Sequence, residues 1–159
     1  MRQLPESFHV AAVSAAVILR AGETLSSERV IDACGAWVTT ALHFVYEVYA
    51  LSENEDVIPE AFRDIWEQYC AYVESMTTPK DRRYLQLHNG HSTFLVPEER
   101  RFVTPAAIES TTLVGSGDDI MDRLREAESA GLKELTILPP TNGSREKLRE
   151  FANMVMRRY

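Results

Sequence analysis

The chain is short of everything that marks a specialised sequence class. Cys34 and Cys70 are its only cysteines, each inside an apolar helical pattern and without the spacing of a zinc site or redox pair, so both read as buried thiols. No apolar run is long enough for a bilayer: Val10 to Leu19 offers about ten residues where about 20 are needed. The segment before it has Arg2 as its one base and no convincing cleavage pattern follows, so no secretory leader is read and a cytoplasmic protein is expected. Basic surface is scarce too. With a formal net charge of -7, and with Lys80 to Arg83, Arg100-Arg101 and Arg157-Arg158 short and separated, the chain lacks the basic face of a nucleic-acid binder. Seven glycines and seven prolines are too few for a disordered chain, and 45% hydrophobic residues suffice for one core, which predicts a single α/β domain over residues 1–159. Internal repeats, HExxH, GxSxG, a Walker lysine and the dinucleotide glycine spacing are all missing.

What is present is hydrophobic periodicity. Phe8 to Leu19, rich in valine and isoleucine, reads as a strand buried on both faces. After a Ser26-Ser27 cap, Val30, Ile31, Cys34, Trp37, Val38, Ala41, Leu42, Val45 and Tyr49 form the broad stripe of a long helix. Pro59 opens a second helix, with Phe62, Ile65, Trp66, Tyr69, Val73 and Met76 on one face. Two helices with no strand between them predict an inserted helical pair beside a sheet. Asn89-Gly90 between Tyr84-Leu85-Gln86-Leu87 and Phe94-Leu95-Val96 predicts a β-hairpin, and the same letters fit a strand ending in a functional loop. Thr104-Pro105 signals a short helix over residues 106–110. Ser116 caps another helix, with Asp118 and Asp119 in its first turn, and Gly131 ends it. Leu132 to Leu138 then reads as a short buried strand stopped by Pro139-Pro140, and Ser144 opens a closing helix with Leu148, Phe151, Ala152 and Val155 inward.

His88 and His91 are the candidate catalytic pair, since imidazole suits proton transfer or metal binding near neutral pH. A two-residue turn at Asn89-Gly90 would set their rings facing each other across the ladder. Two histidines do not complete a metal site, and no metal is assigned. Gly115-Ser116-Gly117 places backbone amides at a helix start, where an anion can bind; an ordinary helix start explains the same residues. His9 and His43 lie in apolar segments and read as core or rim histidines, while Glu98-Glu99 beside Arg100-Arg101 reads as a solvated face.

Leu113 to Ile120, then Arg123-Leu124, Ala130-Gly131-Leu132 and Leu135 to Pro140, resemble the closing segment of the luciferase-like, flavin-dependent oxidoreductases. Leu87 to His91 and Pro97 to Pro105 are similar to the stretch preceding it in one branch of that family. The resemblance implies a (β/α)₈ TIM barrel binding FMN or a deazaflavin coenzyme, with hydride transfer or oxygen insertion on a small organic substrate. It places His88 and His91 in catalysis and Asn89, Gly115, Ser116 and Gly117 at the cofactor. A full barrel takes about 250 residues, so the expectation is a partial TIM-barrel-like α/β fold matching the C-terminal half. Such a chain is a fragment of a longer enzyme or a subunit completed by a second copy or a partner chain, because exposed sheet edges must be paired. The competing readings are a non-catalytic α/β subunit or binding module, and a metal-dependent hydrolase using His88 and His91 whose remaining ligands the sequence does not name.

Overall fold

The computed structural model describes Pro5 and residues 8–159; Arg2 lies outside them. The first strand-forming segment is used twice. Its first half, β1 (Ala11–Ser14), pairs in parallel with β4 (Glu134–Ile137), and its second half, β2 (Ala16–Ile18), pairs in parallel with β3 (Leu113–Gly115). Ala15 is the crossing point, where its carbonyl accepts from Leu113 N–H, while Ser14 O accepts from Leu138 N–H. Side chains alternate along a strand, and here that sorts the core into two. Val17 joins the helical cluster on one side, while Ala16 and Ile18 join Ile120, Met121, Phe151 and Val155 on the other. The sequence expectation of a first strand buried on both faces holds for residues 15–18, all of them buried.

Between β2 and β3 lies a helical layer: α1 (Glu28–Ser52), α2 (Glu60–Glu74), α3 (Arg83–Leu87) and α4 (Pro105–Thr111). The stripe of α1 is buried at Val30, Cys34, Val38, Leu42 and Val45, and α2 meets it through Phe62, Tyr69 and Val73. Each large side chain fully buried there contributes about 1.5–3 kcal/mol. The T-shaped contact of Tyr69 with Phe102, ring centroids 5.1 Å apart, carries the packing into the 3₁₀ turn Pro97–Phe102. The second half closes with α5 (Gly117–Ser129) and α6 (Ser144–Phe151), the latter running on through a π-helical turn at Ala152–Met156. Thr104 caps α4 by accepting from Ala107 N–H, and Ser116 and Asp119 form a reciprocal capping box on α5.

The TIM-barrel expectation is overturned. Among the described residues the chain is mostly helical, with four short strands in two two-stranded parallel sheets and no closed barrel. The inserted pair is in fact part of a layer of four helices, which occupies the length that further barrel strands would need. The predicted hairpin is also absent: residues 83–87 are helical, and His88 N–H donates to Tyr84 O to end that helix. Asn89-Gly90 does supply a positive φ, 80° at Gly90, but in the turn leaving α3. Leu132–Leu138 is shorter and more exposed than read, because β4 has one strand neighbour among the described residues and alternates between exposed and half-buried. No helix among the described residues is long and apolar enough to cross a membrane.

Candidate metal centre

Three imidazoles from two segments meet against the middle of α1. His43 is fully buried on that helix, between the core positions Leu42 and Val45. Glu47, one turn further along, lies on the same side of α1, as i and i+4 positions do. His88 caps the C-terminus of α3, and His91 follows in a tight turn whose N–H donates back to His88 O. Two left-handed residues bend this loop toward α1, Gly90 and Ser92 (φ 57°). Only glycine fits the first, since a Cβ there would stand 2.5 Å from Phe94 O. Ser92 is held by α1 itself: its N–H donates to Thr40 Oγ1 at 2.8 Å, and the two hydroxyls lie 3.1 Å apart. A strained non-glycine backbone pinned by a helix hydroxyl fixes the histidine loop one turn before His43.

The ring centroids of His43 stand 5.6 Å from His88 and 5.4 Å from His91, with His88 and His91 4.8 Å apart. One ligand nitrogen from each lies within 4.8 Å of the others. On the inner side, His43 Nε2 is 2.9 Å from Glu99 Oε1, and both residues are buried. A carboxylate only accepts, so Nε2 carries the hydrogen and donates it, and in the neutral ring this leaves Nδ1 with a free lone pair. That lone pair faces His91 Nδ1 at 3.2 Å. Two nitrogens bound at about 2.0–2.1 Å to a tetrahedral ion stand about 3.3 Å apart, so the spacing is that of two ligands on one metal. Without a metal, His91 Nδ1–H donates to His43 Nδ1 across the same gap. On the outer side, Glu47 Oε1 is 3.1 Å from His88 Nε2 but out of line for a hydrogen bond, and Nε2 is buried without a hydrogen-bond partner. His91 is open on one side; burial of its inner side, then His43 and His88, push its imidazole below the ordinary value, which favours the neutral, ligating form.

Glu99 was read from sequence as solvated and is buried instead. The reason is the 3₁₀ turn, whose three residues per turn eclipse Glu99 and Phe102, so burying the phenyl ring carries the carboxylate inward. His43, Glu47 and Glu99 are the three members of the site that the sequence reading missed. The signal for Glu99 was Pro97 opening a turn with Phe102 five residues on; for His43, only its place in the buried stripe was visible.

Of the residues named from sequence, the structure brings His88 and His91 together and leaves Asn89 exposed between them. Gly115, Ser116 and Gly117 lie elsewhere, at the turn from β3 into α5. There the Ser116 amide and hydroxyl both donate to Asp119 Oδ2, and a Cβ on Gly117 would stand 2.8 Å from Met154 O. The Ser116 amide expected to face an anion is thus engaged from within the chain, and the Asp119 carboxylate occupies the place beside it. A cleft of about 430 Å³ opens beside the histidines, lined by Trp37, Thr40, Ala41, Phe44, Glu47, His88 and His91. The apolar groove along β4, lined by Leu124, Leu135, Phe151 and Val155 among others, holds no such convergence of ligating groups. No protein-family model, curated protein or solved structure matches this chain.

Proposed function

We propose that the chain is a metal-dependent hydrolase whose His43, His88 and His91 hold a divalent transition-metal ion, with the remaining coordination position open to the cleft. The observation that carries this reading is the convergence of three imidazole nitrogens within 4.8 Å, the innermost ring backed by the buried Glu99. A ligating histidine commonly donates its other N–H to a carboxylate, which fixes the tautomer and strengthens the ligand. Imidazole-only ligation suits zinc and its borderline neighbours, and three protein ligands plus water is the catalytic zinc arrangement. A water on such an ion would ionise near neutral pH. Glu47, at the mouth of the site beside His88, is placed to take its proton.

The flavin-dependent reading finds no comparable support. It drew its cofactor contacts from a barrel the chain does not form and from a glycine turn whose Ser116 amide is bonded to Asp119.

The test is titration of the metal-free chain with cobalt(II) and zinc(II). The expected result is one ion per chain, visible cobalt bands of a four-coordinate ion, and loss of both in His43→Ala and in the exposed-site variant His91→Ala. Absence of uptake, or uptake unaffected by His91→Ala, would overturn the proposal.

A further inference from the structure

The walls of the cleft have already spent their polar groups. Trp37 Nε1–H donates to Thr111 O at 2.8 Å, and Thr40 Oγ1 donates to Ala36 O at 2.8 Å while accepting from Ser92 N–H. What these walls still offer a ligand is the indole of Trp37, the methyl group of Ala41 and the phenyl ring of Phe44, which is 65% exposed. The three recur at i, i+4 and i+7 on α1 and so form one continuous apolar wall. Unspent polar groups stand only at the histidine end, where Glu47 can accept but cannot donate and the second ring nitrogen of His91 has no partner within the chain. The spent walls leave no partner for a charged group along the cleft, and Glu47 calls for an N–H or O–H donor beside it.

Resting on the metal centre proposed above, we infer that the substrate is a small, uncharged aromatic carboxamide. Its ring lies along Trp37 and Phe44, its carbonyl oxygen reaches the metal, and its amide N–H points to Glu47. The cleft volume, about 430 Å³, lies within the ordinary range for small-ligand sites, about 300–1,000 Å³. An apolar wall with one polar end orients such a molecule, since only its carbonyl end finds hydrogen-bonding partners. In the reaction, the metal-bound water gives a proton to Glu47 and its oxygen bonds to the carbonyl carbon. The C–N bond then breaks, and Glu47 returns the proton to the departing nitrogen. One water is consumed, one carboxylic acid and one amine or ammonia are released, and no oxidant or reductant takes part.

The experiment loads the chain with cobalt(II) and titrates it with benzohydroxamic acid and with acetohydroxamic acid, following the visible bands. Both probes carry the same carbonyl and N–H, and only one carries the ring. Binding of the aromatic probe at least tenfold tighter, with the advantage lost in Phe44→Ala while cobalt uptake is kept, is the expected result. Equal affinities, or a preference that survives Phe44→Ala, would overturn the substrate assignment and leave the metal centre standing. Failure of cobalt uptake would overturn both.

Discussion

Glu99→Gln keeps the side-chain volume and leaves an amide oxygen to accept the His43 Nε2 hydrogen, but it removes a charge from a residue that is 1% exposed. In the native chain Glu99 Oε2 is buried without a protein partner, and such an atom costs about 1–3 kcal/mol, more when charged. The metal-free variant should therefore be as stable as the native chain or up to about 2 kcal/mol more stable, because the desolvation of a neutral amide is the smaller cost. Metal affinity should move the other way. Loss of a carboxylate behind a ligating histidine weakens binding by about 10–100-fold, or about 1.4–2.7 kcal/mol. Urea unfolding in the presence of a chelator gives the first quantity from the midpoint at constant slope, and competition against a chelating dye gives the second for zinc. A variant that lost stability while binding zinc as tightly as the native chain would refute the reasoning, since Glu99 would then be a packing partner of His43 alone.

Gly117→Ala would set a Cβ 2.8 Å from the Met154 carbonyl, and because backbone cannot swing aside, the substitution should cost about 1–3 kcal/mol in the same unfolding assay. Cys34 should resist thiol reagents: burial pushes its thiol up to about 11, with the Thr112 hydroxyl offsetting this in part, so near pH 8 it should react more than about 100-fold slower in the folded chain than in urea, read by absorbance of the released thiolate. The Arg29 guanidinium, against a smaller opposing effect of desolvation, holds the Glu23 carboxyl down to about 2 from an ordinary 4.5. A depressed carboxyl stabilises the fold fully above its unfolded value and loses that contribution as pH falls through the folded one. Glu23→Gln should thus cost about 1 kcal/mol at neutral pH after solvent screening, and the difference should vanish by about pH 2 in acid-unfolding curves.

Local signals were legible in the sequence wherever a residue's role depends on its near neighbours. The α1 stripe from Val30 to Val45 and the Thr104 and Ser116 caps are set within a turn or a helix length, and each stands as read. Pairings across the chain were not legible. The resemblance supplied a barrel because strand–helix alternation after Thr111 fits one, yet the partners of both later strands are the two halves of one early segment. The same holds for the site. His88 and His91 could be chosen as a pair from their spacing, whereas His43 is 48 positions from His91 and Glu99 is 56 from His43. An imidazole in an apolar stripe looks the same in sequence whether it is a packed core residue or a ligand, and helical periodicity misleads at Glu99 because the local turn is 3₁₀.

The double use of the first strand also sets a timetable. Its partners in β3 and β4 emerge from synthesis roughly 100 and 120 residues after it does, a wait of about 5–25 s at ordinary elongation rates, and pairings so distant close late. The layer that carries the histidines has no such delay, since His43, Glu47, His88, His91 and Glu99 all precede β3. The site can therefore assemble on the nascent chain while Ala16 and Ile18 still await the Ile120, Met121, Phe151 and Val155 side chains that cover them, and in that interval their apolar surface stands open.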